Sequence, residues 1–125
     1  ELARRVRKKH PKLSEERGLF VAHCCGREDG NGVISLCADP RHRMRGPGLF
    51  RAAESMEIWK QVSAPTLFLD AGDSQFVHAI PAEETQRRRD CFREHHEAVV
   101  PGAGHMLHFD APVETARQIA EFLAG

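Results

Sequence analysis

The sequence carries no net charge, no long apolar run, no spaced cysteine pair and no serine set between alternate glycines, and each absence removes a class of function. It balances 18 Lys and Arg against 18 Asp and Glu, which leaves no overall attraction to nucleic acid or to an anionic membrane. No apolar run approaches the roughly 20 residues that a membrane helix requires, and no signal-like segment opens the chain. Residue 1 is Glu rather than Met, which leaves open a longer parent chain with a targeting segment ahead of it. The four cysteines are Cys24, Cys25, Cys37 and Cys91. Two are adjacent and none forms Cys-x-x-Cys, so no disulfide framework is expected and a reduced, cytoplasmic setting is. A zinc set of His23, Cys25, Cys37 and His42 can be drawn, but its spacing fits no standard finger. Neither a metal nor a cofactor is therefore expected. The missing Gly-x-Ser-x-Gly removes the usual turn on which a strand hands a nucleophilic serine to a helix.

What is present is ordinary globular sequence, 125 residues with 41% apolar and 29% charged side chains, enough for one domain or part of one. Leu2 to His10 reads as a basic helix ended by Pro11, with Arg4, Arg5, Arg7, Lys8 and Lys9 around Leu2, Ala3 and Val6. It has no interleaved aromatics, so a solvated face is the simpler reading. Ser14 is placed to cap a second helix that Gly26 ends, with Glu15 and Glu16 near its positive end. Asp29-Gly30-Asn31-Gly32 is a tight-turn signal, and Val33 to Cys37 reads as a short strand. Arg41 to Gly48 is a basic loop with glycine and proline. Leu49 to Val62 then has helical spacing.

The second half alternates strand and helix. Thr66 to Leu69 is apolar throughout, as a parallel strand buried on both faces would be, and Asp70 to Ser74 is its exit turn. A helix follows Pro81, with Glu83 and Glu84 at its start and Arg87, Arg88 and Arg89 at its end, matching the dipole. Glu97 to Val100 reads as the next strand, entered through a solvated His95-His96 and stopped by Pro101. Gly102-Ala103-Gly104 can then turn the chain and present His105 at the carboxyl edge of the sheet, where open α/β folds hold ligands. Asp110 is placed to cap a last helix with Pro112 in its first turn. On that helix Val113, Ala116, Ile119, Ala120 and Leu123 form an apolar stripe expected to face the sheet.

The run from Ala64-Pro65-Thr66-Leu67-Phe68-Leu69 through Gly102-Ala103-Gly104-His105-Met106 to Phe122-Leu123 resembles the end of the α/β-hydrolase fold, in which the catalytic histidine follows the last strand. The first half is similar, more loosely, to the lid that many α/β hydrolases insert before their last two core strands. The resemblance implies an α/β chain: a mostly helical lid-like segment over residues 1–62, then a β-α-β-α portion of the parallel core over 63–125. It implies that His105 is the general base. The family's acid commonly follows the penultimate strand in a Gly-x-x-Asp turn. That pattern puts Ala71 at the glycine and Ser74 at the aspartate, so Asp73 is one residue off. Either Asp73 orients the histidine or the acid follows an earlier strand.

The serines are Ser14, Ser35, Ser55, Ser63 and Ser74, and none sits on an elbow, so the resemblance places the nucleophile outside this chain. The expected whole is a serine-type hydrolase acting on an ester, amide or similar bond of a small molecule. This chain alone is expected to be inactive. The alternative is a non-enzymatic interaction module on the same scaffold. His108, three residues after His105, mimics a metal pair only if the segment is helical. The expected partner is the missing amino-terminal core, or a second copy held through the open sheet edge.

Overall fold

The computed structural model describes residues 1–44, 46, 48–76 and 79–125. Arg45 and Pro47, in the expected basic loop, lie outside the described residues. The chain divides into two compact units, Glu1–Pro47 and Gly48–Gly125.

In the first unit, α1 (Leu2–Lys9) packs on α2 (Glu15–Cys25). The two helices approach closely at Gly18, where a Cβ would lie 2.6 Å from Cγ of Arg7. Ser14 caps α2 as its position suggests, its Oγ accepting the Arg17 N–H at 3.2 Å. At Gly26 the chain passes directly from helix into β1 (Gly26–Glu28), a strand that the apolar pattern does not signal, paired antiparallel with β2 (Ile34–Leu36). One Asp29 carboxylate oxygen makes the turn between them by accepting the N–H groups of Asn31 and Val33, both at 2.9 Å. Gly32, at φ 78°, supplies the left-handed residue. A single helical turn over Pro40–Arg43 follows. Leu2, Leu13, Val21 and Ala22 are the buried side chains of this unit.

The second unit begins with α3 (Ala52–Trp59), shorter than the spacing suggests because Leu49 is 92% exposed and contributes nothing to a helix face. Then come β3 (Thr66–Ala71), α4 (Ala82–Arg89), β4 (His95–Val100), α5 (Leu107–Asp110) and α6 (Pro112–Ala124). β3 and β4 form a parallel pair running from Thr66↔His95 to Ala71↔Val100. Both strands are longer than expected. β3 continues through Asp70 and Ala71, which sequence reading assigns to the turn, and β4 starts at His95.

The reason lies on one face of the pair, where Asp70, Glu97 and Arg89 meet. Arg89 ends α4 and donates from one nitrogen to both Asp70 carboxylate oxygens, at 2.7 and 2.8 Å, and from another to Glu97 at 2.5 Å. Burial alone would lower the Arg89 pKa, but Asp70 and then Glu97 outweigh it and the net shift is upward. A charged pair of strand residues is thus held in the ladder by a helix-borne fork. Phe68, on the same face, meets Phe92 edge-on at 5.1 Å, and Phe92 stacks on Trp59 of α3 at 6.0 Å. His95 is part of this packing and not a solvated residue. Its Nδ1 lies 3.1 Å from the Phe92 carbonyl oxygen and its ring meets Phe68 at 5.8 Å.

The other face carries Leu67, Leu69, Ala71, His96, Ala98 and Val100, and α6 crosses both strands there. The helix turns a different side to the sheet from the one expected. Thr115 is buried, its Oγ donating to the Ala111 carbonyl at 2.8 Å, and Phe122 packs on His96 at 5.5 Å. With Thr115 and Phe122 on the side towards the sheet, the apolar stripe is outward, with Val113 77%, Ile119 41% and Leu123 75% exposed. Periodicity finds such a stripe but not its partner. β3 likewise is half-buried rather than covered on both faces, and among the described residues β4 is its one paired neighbour.

Replacing Arg89 strands two carboxylates side by side. Because Arg89 is 14% exposed but Asp70 and Glu97 are about a third exposed, the expected loss for Arg89→Ala is about 2 kcal/mol rather than the full cost of a buried pair. Urea unfolding of the whole chain measures it, and Arg89→Lys, which keeps the charge without the fork, should lose less.

Candidate active site

The carboxyl ends of β3 and β4 are stitched together by backbone hydrogen bonds beyond the ladder. The Gly72 N–H donates to the Val100 carbonyl at 3.0 Å, and the Asp73 N–H donates to the Ala103 carbonyl at 2.9 Å. Glycine at position 72 keeps this approach close, since a Cβ there would lie 3.2 Å from that carbonyl oxygen and 3.3 Å from Cα of Pro101. The second turn needs its own glycine at Gly102, where φ is 71°. Val100 and Ala103, both 0% exposed, close the small core with Ala71, Leu107 and Ala111.

Two sequence-predicted site residues therefore come to one edge. Asp73 is tied by its own backbone to Ala103, two positions before His105. Both Asp73 and His105 are exposed, as groups that meet a ligand must be. The His105 imidazole packs edge-on against Phe76 at 4.6 Å. Phe76 comes from the Asp73 turn, so that turn supports the histidine through a ring contact as well. Ser74, the residue that the Gly-x-x-Asp pattern sets in the aspartate position, is only 8% exposed, and its Oγ accepts the Phe76 N–H at 3.2 Å. It shapes the turn and does not reach the edge as a carboxylate would.

Asp110 has a different task from the cap expected of it. α6 starts after Ala111, whose side chain makes no cap, and Asp110 instead ends α5 and reaches back. Its Oδ2 accepts the Gly104 N–H at 2.8 Å, fixing the residue before His105. Gly104 allows that approach, since a Cβ there would lie 2.8 Å from the same oxygen. Phe76 and Asp110 are the two residues of the site that sequence reading missed. For Asp110 the signal is its distance of six residues from Gly104 across a short apolar run, which allows a one-turn helix to bring it back.

The remaining candidates do not converge. His105 lies ahead of α5 while His108 lies within it, with its ring against Phe109 at 4.4 Å. Among the described residues no three or more His, Cys, Asp and Glu side chains are grouped to hold a metal. The drawn set of His23, Cys25, Cys37 and His42 thus has no cluster behind it.

Asp110→Ala removes the acceptor for a partly buried N–H and is expected to cost about 1 to 3 kcal/mol in urea unfolding. The His105 ring resonances should shift and broaden in the same variant. Unchanged resonances would disconnect Asp110 from the histidine turn.

No family model matches the chain. Solved structures do. Over 99% of its length the chain is similar to E-2-(acetamidomethylene)succinate hydrolase, at 18% identity and a TM-score of 0.73, covering 44% of that protein. It is similar over 94% of its length to the thioesterase domain of the curacin biosynthetic pathway, at 25% identity and a TM-score of 0.71, covering 40% of that chain. An esterase of Mycobacterium tuberculosis matches 98% of the chain at 18% identity and a TM-score of 0.79, again over 40% of its own length. The chain spans less than half the length of each of these hydrolases.

Proposed function

We propose that this chain, whose fold is that of the carboxyl-terminal portion of the α/β hydrolases, is the histidine-bearing part of a serine-type hydrolase. The observation that carries this reading is the stitched carboxyl edge, where the Asp73 N–H bonds the Ala103 carbonyl at 2.9 Å. A hydrolase needs a base whose position is fixed by backbone and whose ring remains reachable. His105 meets both requirements. In the complete enzyme its imidazole takes the proton of the nucleophile as that attacks the carbonyl carbon, then returns it to the leaving group. Asp73 holds the imidazole in the useful tautomer and balances its positive charge. The nucleophile and the oxyanion donors come from outside this chain, since its serines include none on a Gly-x-Ser-x-Gly turn. The bond class, an ester, amide or similar bond of a small molecule, is supported by neighbours that are an esterase, a thioesterase and a hydrolase. The segment ahead of the core acts as the lid in this reading, and the setting is cytoplasmic.

The chain alone is expected to hydrolyse p-nitrophenyl butyrate no faster than buffer does. Joined to an upstream segment that carries a Gly-x-Ser-x-Gly elbow about a hundred residues earlier, it should turn the ester over. His105→Ala should then lower kcat by about a thousandfold or more with the fold intact, because triad members act as a unit. Asp73→Asn tests the acid. A comparable loss assigns the role to Asp73, while an unchanged rate moves it to an upstream strand.

The outward stripe of α6 and the half-buried β3 support a second point, that this unit packs against further structure. The partner is the rest of a hydrolase core or, in its absence, a second copy paired through the sheet edge. Sedimentation of the chain alone should show concentration-dependent self-association. A strict monomer with a sharp, concentration-independent melt would instead favour the self-sufficient interaction module.

A further inference from the structure

We propose that Cys25 and Cys37 form a redox pair that closes reversibly into a disulfide across the first-unit hairpin. The β1–β2 ladder runs Gly26↔Leu36, Arg27↔Ser35 and Glu28↔Ile34. One step beyond the ladder Cys25 ends α2, and the Cys37 N–H donates to its carbonyl at 2.9 Å. That bond brings the two backbones to about ladder spacing, where bonded Cα atoms lie about 5.5 Å apart, inside the roughly 4.4 to 6.8 Å that a disulfide spans. Cys24 is out of register, about 100° round α2 from Cys25.

Both thiols are free, with Cys37 exposed and Cys25 partly so, whereas Cys91 is buried with its thiol against the Arg87 carbonyl. An oxidant in solution therefore reaches the pair. The hairpin also has reason to be pinned there. Its ladder is three pairs long and every residue of β2 is exposed, and two strands of that kind are marginal by themselves. Asp29 holds the turn end, where its N–H bonds the Val33 carbonyl at 2.9 Å. The Cys25–Cys37 bond fastens the open end.

The oxidant class is a peroxide. A thiolate of the pair attacks one peroxide oxygen, the O–O bond breaks, the departing hydroxide takes up the proton that the thiol released, and the products are a sulfenic acid and one water. The second thiolate attacks the sulfenic sulfur, the S–S bond forms, and the departing hydroxide takes a proton to become a second water. The cysteines lose two electrons and the peroxide gains them. A dithiol reverses the step by exchange.

The test treats the full chain with stoichiometric hydrogen peroxide, blocks remaining thiols with N-ethylmaleimide and maps the peptides by mass spectrometry. A monomeric product lacking two hydrogens, linked between the Cys25 and Cys37 segments and restored by dithiothreitol, is expected. Because Cys24 lies on the same peptide as Cys25, variants decide the pairing. Cys24→Ser should retain the link, and Cys25→Ser and Cys37→Ser should each reduce it at least tenfold. A link that survives Cys25→Ser, disulfide-bonded dimers as the main product, or sulfinic acid without any link would each overturn the proposal.

Discussion

The backbone hydrogen bonds beyond the carboxyl end of the β3–β4 pair are the constraint on which the candidate site depends. A two-stranded parallel ladder is a weak scaffold, and its loops would ordinarily wander independently. Here Gly72 and Asp73 donate to Val100 and Ala103, so the turn after β3 is bonded to the turn after β4. The chemistry-bearing residues inherit that order. Asp73 and His105 are thirty-two residues apart in the chain, yet their turns are bonded to each other. Asp110 adds a third tie from the far side by holding the Gly104 N–H. Exposed side chains on a bonded loop are what a site requires, since reach and order are both needed.

Charge is used differently at the middle and at the end of the same strand. Asp70 and Asp73 are three residues apart, but Asp70 lies within the ladder, where Arg89 grips both its oxygens. That carboxylate is committed to holding α4 against the sheet. Asp73 stands past the last ladder residue, where its backbone is engaged with Ala103 and its side chain is exposed. A carboxylate inside an arginine fork makes a poor partner for an imidazole, because the stronger cation already claims it. Position along one strand thus separates a carboxylate tied into the ladder from one exposed beyond its end.

How much of this was legible from sequence follows the range of the interaction. Ser14 as a cap and the Asp29 turn were readable because side chain and backbone partner lie within four residues. The alternation of strand and helix from Thr66 onward, and the glycine turn before His105, were readable for the same reason. The lengths of β3 and β4 were not, because they are set by Arg89, nineteen residues from Asp70. Asp110 was misread as a cap since local chemistry favours that use of an aspartate ahead of Pro112. Only the one-turn α5 redirects it. β1 was invisible because Gly-Arg-Glu has no strand pattern; it exists because β2 folds back on it.

The orientation of α6 shows where sequence pattern and local structure part company. Periodicity marked the helix and its apolar stripe correctly, and the inference that the stripe faces the sheet assumed that the sheet was its only possible partner. Phe122 decides otherwise by packing on His96 of β4, while Val113 and Leu123 stand in solvent. A helix with apolar residues on both sides belongs between two layers. The matched hydrolases extend well beyond the 40 to 44% that this chain covers. Among the described residues, the outward stripe of α6 and the half-buried β3 are the surfaces left without a covering layer.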